Sequence, residues 1–362
     1  MKSRQKEVTK DKIRGMFLGI AIGDALYMPV ETWSARKIAE IHGRLTNYIR
    51  PDGHKWFDGR EAGTWTDDTQ LTLVVTESLI AKEKLDLDDM ADRHIESVSK
   101  EGDLGFGSTT KEAMKKLASG VHWSKSGKNK DSKYGIGNGV VMKSAPLGAF
   151  RASPVWHELW VEDRSQFIDN LIRFTLMTHN KKLAVESTLA HVYAINVCLD
   201  HDPITKLSVE NFFDQIIKMS DFVNYKSPSA EPELTLTSRM EMLRRFKIES
   251  LTPDTIISAF DGGTSYVYNS LPFSYAFFIR DPNSIETLYA VGNAGGDTDT
   301  NASIVGGMLG ALNGASIFPE HLIDGLWQKE RIIDTADRFY EKFFTKDPPS
   351  RKAMADKEGG QK

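Results

Sequence analysis

The 362-residue chain is 40% hydrophobic, enough to bury a sizeable core in one large or two ordinary domains. Its 46 Lys and Arg against 50 Asp and Glu give a formal net charge of −4, so no global basic field exists to hold nucleic acid or an anionic membrane. The single cysteine, Cys198, lies in the apolar run Ala-Ile-Asn-Val-Cys-Leu; it excludes an intramolecular disulfide and a cysteine-rich zinc site, and it fits a reducing, cytoplasmic compartment.

In chain order, the first apolar stretch is broken by Asp24 and by glycines, so neither a signal peptide nor a membrane span is expected. Lys12 to Ala25 reads as a helix with Ile13, Met16, Phe17 and Ile20 on one side and Gly15, Gly19 and Gly23 at every fourth position, a ridge that admits a close helix neighbour. Residues 46–64 mix Gly, Pro, Asp and aromatics without a period and read as loop. Thr66 to Lys82 is helical, with Thr66 at the N-cap. A glycine-rich loop at Gly102 to Thr110 leads into another helical stretch, and Ser124 to Lys133, rich in lysine, reads as a mobile surface insertion. A long helix is expected over Lys181 to Leu199, with further helical patterns at 208–223, 253–279, 284–292 and 319–344. No series of alternating strands appears. The expected architecture is all-α, a compact multi-helix domain of about ten or more helices over 12–345, preceded by an extension at 1–11 and followed by a polar, frayed tail at 346–362.

The most informative feature is a pair of similar segments far apart: Gly63-Thr64-Trp65-Thr66-Asp67-Asp68-Thr69 and Gly295-Gly296-Asp297-Thr298-Asp299-Thr300. Acids and threonines at a helix start cap free N–H groups and complement the dipole, and that reading suffices for either cluster alone. Four carboxylates exceed what capping needs, however, and the glycines after Asp297 let the second helix press into the core, where acids require a compensating cation. All the donors are hard oxygens, which suits Mg²⁺, Mn²⁺ or Ca²⁺ better than zinc. An EF-hand is excluded, because the sixth position counted from Asp297 is Ala302 and the twelfth is Met308.

These residues resemble the ADP-ribosylglycohydrolase family, which includes the dinitrogenase reductase-activating glycohydrolases. The resemblance is carried by Arg14-Gly15 through Gly23-Asp24-Ala25-Leu26 with Glu31, by Thr66-Asp67-Asp68-Thr69, by Gly137-Asn138-Gly139 with Met142 and Ala145-Pro146-Leu147-Gly148, by Thr178-His179, and by Gly295 through Thr300, in the family's order. It implies an all-α fold with two Mg²⁺ or Mn²⁺ ions in a central cleft. Thr66, Asp67, Asp68, Asp297, Asp299 and Thr300 would be the metal ligands, and Asp67, Asp68 and Asp299 would join Glu31, which positions or deprotonates water, in catalysis. The implied substrate is an ADP-ribosylated protein and the product ADP-ribose, with an ADP-ribosyltransferase or that enzyme's target as a further partner.

The remainder of ADP-ribose needs a pyrophosphate site and a slot for adenine. Gly105, Gly107 and Ser108 in one loop, and Gly137, Asn138 and Gly139 in another, offer approachable backbone N–H groups, although as isolated loops both also read as plain turns. Met142 and His179 join this substrate set through the resemblance, and Tyr266, Tyr268 and Phe277 read equally as substrate-lining or core aromatics. Asp103, in Asp103-Leu104-Gly105, is similar to the D-x-G loop of arginine-directed members and would grip a guanidinium in a bidentate pair. The reaction read from this set is cleavage of an ADP-ribosyl bond to arginine. Three alternatives stand beside it: serine-linked or other ADP-ribosyl compounds, a non-catalytic crystallin-like relative, and a two-metal phosphohydrolase.

Overall fold

The glycine ridge of the helix Lys10–Tyr27 lies against the helix Thr298–Asn313, which runs antiparallel to it. A Cβ on Gly15 would collide with the Gly310 carbonyl, one on Gly19 with Gly306, and one on Gly23 with Ala302; the facing Gly306 and Gly310 have no more room. Backbone therefore touches backbone with no side chain between, an approach open only to glycine-rich faces. Antiparallel packing puts the end of the first helix beside the start of the second, and the Thr298 hydroxyl donates to the Tyr27 carbonyl at 2.8 Å, 271 residues away.

The computed structural model describes residues 8–131, 134–159, 164–202, 205–226 and 235–345, and among them holds eighteen α-helices and no β-strand, the all-α architecture expected. The expected extension is thus described only from Val8 and the lysine-rich insertion only as far as Asp131, while the 346–362 tail lies outside the described residues. Two isolated bridges, Ser34 with Gly295 and Gly137 with Tyr266, pin loops near the ends of the central helices. Lys10–Val30 has the length and hydropathy, 1.3, of a membrane-crossing helix, yet 94% of it is buried inside the protein, where it serves as the core.

Several expected helices differ in detail. The pattern over 253–279 is two helices, Pro253–Ala259 and Val267–Arg280, separated by a turn in which Gly262 and Gly263 have φ of +68° and +63°. The pattern over 319–344 likewise splits into Glu320–Asp324 and Lys329–Phe343. There the Trp327 N–H bonds to the Gly63 carbonyl at 3.0 Å and holds the loop before Thr66. The lysine-rich segment is anchored at its start: Ser126 is buried, its hydroxyl donates to Met177 O at 2.6 Å, and Gly127 sits against Leu176 and Met177.

Candidate active site

Two helix N-termini, those of Asp67–Lys82 and Thr298–Asn313, converge beside the end of the first helix. Asp24 ties the first helix to the start of Asp67–Lys82. Its Oδ1 accepts the Thr66 N–H (2.9 Å) and hydroxyl (2.8 Å), and its Oδ2 accepts the Thr69 N–H (3.0 Å) and hydroxyl (2.6 Å). Thr66 occupies the N-cap position without making a side-chain cap bond, because the capping acceptor comes from this other helix. Sequence reasoning placed Asp24 in the family pattern but not in the site; its signal was an acid near the end of an otherwise apolar helix, a place where a buried charge needs donors.

Around Asp24 stand Glu31, Asp67, Asp68, Asp297 and Asp299. Asp299 Oδ1 accepts the Thr300 N–H at 2.8 Å, and the Thr300 hydroxyl donates to Asp68 Oδ2 at 3.2 Å. Asp68 Oδ1 is buried with no hydrogen-bond partner. Among the described residues no lysine or arginine pairs with any of the six carboxylates. Burial, reinforced by Asp24, pushes Asp67 up to about 7. Burial, reinforced by Asp297 and Asp67, pushes Glu31 up to about 9. Asp68 and Asp299 are driven well above the carboxylate range by burial and by their acidic neighbours.

One oxygen each of Asp24, Asp68 and Asp299 lies within 4.8 Å of the others, and the same is true of Glu31, Asp297 and Asp299. Since Asp24 is already filled by its threonine donors, it is a positioning residue, and the open oxygens belong to the remaining acids. An orphaned buried oxygen, an all-oxygen donor set and crowding of like charge fit hard divalent cations.

The expected substrate residues divide. Asn138 is buried, and its amide donates to Asp297 Oδ2 (2.6 Å) and Ser270 Oγ (2.9 Å), so it orients a carboxylate with both N–H bonds already in use. Ser270 in turn donates to Asn301, which bonds to the Gly263 carbonyl, and the same carbonyl receives the Asp297 N–H at 3.0 Å. Met142 is packed in the core. Gly137 and Gly139 pass the edge of the His179 imidazole, which is buried, bonded to the Thr178 hydroxyl at 2.9 Å and held neutral by burial, with its pKa lowered to about 3. Phe277 is a core ring against Phe273, whereas Tyr266 and Tyr268 are partly buried with ring centroids 5.8 Å apart.

Gly105 is the glycine whose conformation the site demands: its φ is +140°, and a Cβ there would sit 3.0 Å from Asp67 Oδ1 and 3.2 Å from the Phe57 ring. Gly107 precedes the helix Ser108–Ala118, with open space where its side chain would be. Asp103 differs from expectation. Its Oδ1 accepts both the Gly105 (3.0 Å) and Phe106 (2.6 Å) N–H groups, and its Oδ2 lies 3.0 Å from the Lys111 ammonium. One oxygen thus holds the loop together, which leaves Oδ2, paired with Lys111, as the oxygen open to a substrate.

Two further cations act on the acids at longer range. Arg60 lies over the Phe57 ring at 4.8 Å, donates to Leu104 O at 3.2 Å and interacts with the Asp24, Asp67 and Asp103 charges. Lys143 is buried with Nζ 3.0 Å from His94 Nε2; burial lowers it to about 7 against the pull of Asp67.

The chain and its fold are similar to those of known proteins. The chain is 25% identical over 358 residues to ADP-ribosylhydrolase ARH3 of Homo sapiens, covering 91% of this chain and 94% of that protein. It is 24% identical over 339 residues to ADP-ribosylarginine hydrolase Tri1 of Serratia proteamaculans, covering 91% and 79% respectively. Its fold superposes with a TM-score of 0.62 on a solved ADP-ribosylglycohydrolase-related protein complex, at 22% identity over 92% of this chain and 98% of the other. The family model for ADP-ribosylglycohydrolase matches residues 5–349, essentially the whole chain, and the protein belongs to the ADP-ribosylglycohydrolase family of hydrolases.

Proposed function

We propose that the protein hydrolyses the bond between the distal ribose of ADP-ribose and a protein side chain, using two Mg²⁺ or Mn²⁺ ions held between its two acidic helix starts. The observation that carries this reading is the unpartnered, buried Asp68 Oδ1 within a cluster of acids that, among the described residues, pair with no lysine or arginine. Thr66, Asp67, Asp68, Asp297, Asp299 and Thr300 would hold the ions, with Asp299 common to both halves of the cluster. Bound there, such ions acidify water and grip vicinal hydroxyls.

The chain's own groups do the rest. The Glu31 carboxylate has no hydrogen-bond partner among the described residues, so its oxygens are open to water; once burial and the charges of Asp297 and Asp67, which otherwise hold it protonated, are offset by bound cations, it would take a proton from the attacking water. Negative charge around the scissile carbon stabilises the oxocarbenium-like state through which a glycosidic bond breaks. The backbone N–H groups around Gly107 and Gly139 are offered to the pyrophosphate.

Because Asp103 is bound to its own loop and to Lys111, an uncharged, oxygen-linked acceptor such as serine fits the rim better than the arginine expected from the sequence. Arginine is the second reading, supported by the name of the Serratia relative. A cytoplasmic location accords with the buried, free Cys198. The test is incubation with serine- and arginine-linked ADP-ribosyl peptides, with metal or with chelator, reading free ADP-ribose by mass. Metal-dependent release, faster from serine, is expected; release of phosphate or AMP in place of intact ADP-ribose would overturn the reading.

A further inference from the structure

Two tryptophans, each with a lysine ammonium over its ring, lie on the segments that meet at Glu31. On one side, the Lys37 Nζ is 3.5 Å from the Trp33 ring centroid, and Trp33 stacks on His42 at 5.8 Å. On the other, the loop at 51–60 is fastened to the catalytic backbone: His54 Nε2 lies 3.2 Å from the Glu31 carbonyl, and the His54 ring stacks on Phe57 at 4.9 Å and meets Trp56 edge-on at 5.7 Å. Lys55 Nζ stands 5.0 Å from the Trp56 ring centroid. The two halves meet at Glu31, which Trp33 follows by two residues and whose carbonyl the His54 ring contacts.

This rim is left open by the fold. Among the described residues three large apolar side chains are strongly exposed, and two of them are here: Ile41, one helical turn beyond Lys37, at 56% and Trp56 at 51%. Ile41 lies on the helix Ala35–His42, which begins four residues after Glu31, and Trp56 on the loop bonded to the Glu31 carbonyl; apolar side chains exposed on segments that meet at a site suit an interaction surface. Neighbouring arginines are already matched, Arg36 with Glu40, and Arg50 with Asp52 and Glu61. Lys37 and Lys55 make only ring contacts and have no carboxylate partner among the described residues.

We propose that this rim docks the polypeptide bearing the ADP-ribosyl group, with Lys37 and Lys55 taking acidic residues beside the modified side chain and Trp56 with Ile41 taking an apolar neighbour. The inference rests on the hydrolase reading above. Tryptophan is among the residues that most often carry binding energy at an interface, and the charge of the two lysines selects the partner.

The full-length, Mg²⁺-loaded protein is compared with Trp56→Ala and with the double charge reversal Lys37→Glu/Lys55→Glu, which touches only exposed ammonium groups. Two substrates are used: a serine-linked ADP-ribosyl peptide with Asp and Glu flanking the serine, and a small free ADP-ribosyl compound. In parallel, fluorescence polarisation reads binding of the labelled, unmodified acidic peptide. The expected result is a roughly tenfold rise in KM for the peptide in either variant with kcat kept, kcat/KM for the small compound within about twofold of wild type, and a matching loss of polarisation affinity. Equal effects on both substrates, no effect on either, or tighter binding of a single-stranded oligonucleotide than of the peptide would each overturn the proposal. If wild type hydrolyses neither substrate, the hydrolase reading fails, and polarisation still decides whether acidic peptide binds at Trp56.

Discussion

Asp24 shows how one buried carboxylate sets the geometry of a site it does not complete. It accepts from both the backbone and the hydroxyl of Thr66 and Thr69, which fixes the first turn carrying Asp67 and Asp68. Asp24→Ala strands these donors in the interior and should destabilise the protein by about 2–4 kcal/mol, read as a shifted urea midpoint with unchanged slope. Asp299→Ala should behave oppositely: turnover falls by orders of magnitude, while melting in chelator stays level or rises because a repelling charge has gone. A cap role alone would cost about 0.5–2 kcal/mol and spare turnover. Asp103→Ala opens its loop and should slow serine- and arginine-linked substrates in parallel, whereas a guanidinium grip would slow arginine selectively; paired initial rates separate the two. The metal-ligating residue types were legible in the sequence, since two look-alike acidic helix starts stand out in any reading. The roles of Asn138 and Asp103 were not, because an amide or a carboxylate in a glycine loop can serve a ligand or its own backbone, and only distances decide.

At the level of elements, the antiparallel pair Lys10–Tyr27 and Thr298–Asn313 sets the spacing of everything at its ends. Gly19→Ala puts a methyl onto the Gly306 carbonyl, a rigid neighbour, and should cost about 1–3 kcal/mol or more together with loss of activity as Asp24 and Asp299 move apart. Gly107→Ala is the control: its φ is −62° and the methyl enters open space, so stability should stay within about 0.5 kcal/mol. Gly107→Leu should then weaken ADP-ribose binding, measured as a smaller rise in melting temperature on adding the nucleotide, if this loop receives the pyrophosphate. The every-fourth glycine announced a close helix contact, and its partner is the other glycine-rich helix of the sequence. Breaks such as Gly262-Gly263 and Gly325-Leu326-Trp327-Gln328 passed unnoticed, because apolar periodicity runs through them and the turn is imposed by distant partners, Asp297 in one case and Gly63 in the other. The helix Leu87–Glu101 was missed although its buried residues Leu87, Met90, Ala91, His94 and Ser97 follow a helical period.

For the molecule as a whole, the acids make stability depend on pH and on metal together. Glu31 and Asp67 have folded pKa values near 9 and 7, above their ordinary values of 4.5 and 3.8, so without metal the fold favours their protonated forms. That contribution is complete below about pH 4 and is lost as pH rises through 7 and on to 9. Buried Lys143, lowered to about 7 from 10.5, acts in the other sense, its contribution being present above pH 10.5 and lost as pH falls towards 7. Buried His179 and His191, lowered to about 3, add stability as pH rises to about 6.5 and so oppose the acids in that range. Melting temperature in chelator should therefore drop between about pH 7 and 9, where Glu31, Asp68 and Asp299 outweigh Lys143, and saturating Mg²⁺ should flatten or invert the trend; a curve in chelator that rises over this range would refute the electrostatic account. The same long separation that brings Tyr27 to Thr298 has a consequence in time. The chain leaves the ribosome at about 5–20 residues per second, so the first helix waits tens of seconds for its partner. Throughout that wait it is an apolar, glycine-lined segment with the length and hydropathy of a membrane anchor, and it loses that character only once Thr298–Asn313 has been made and has covered it.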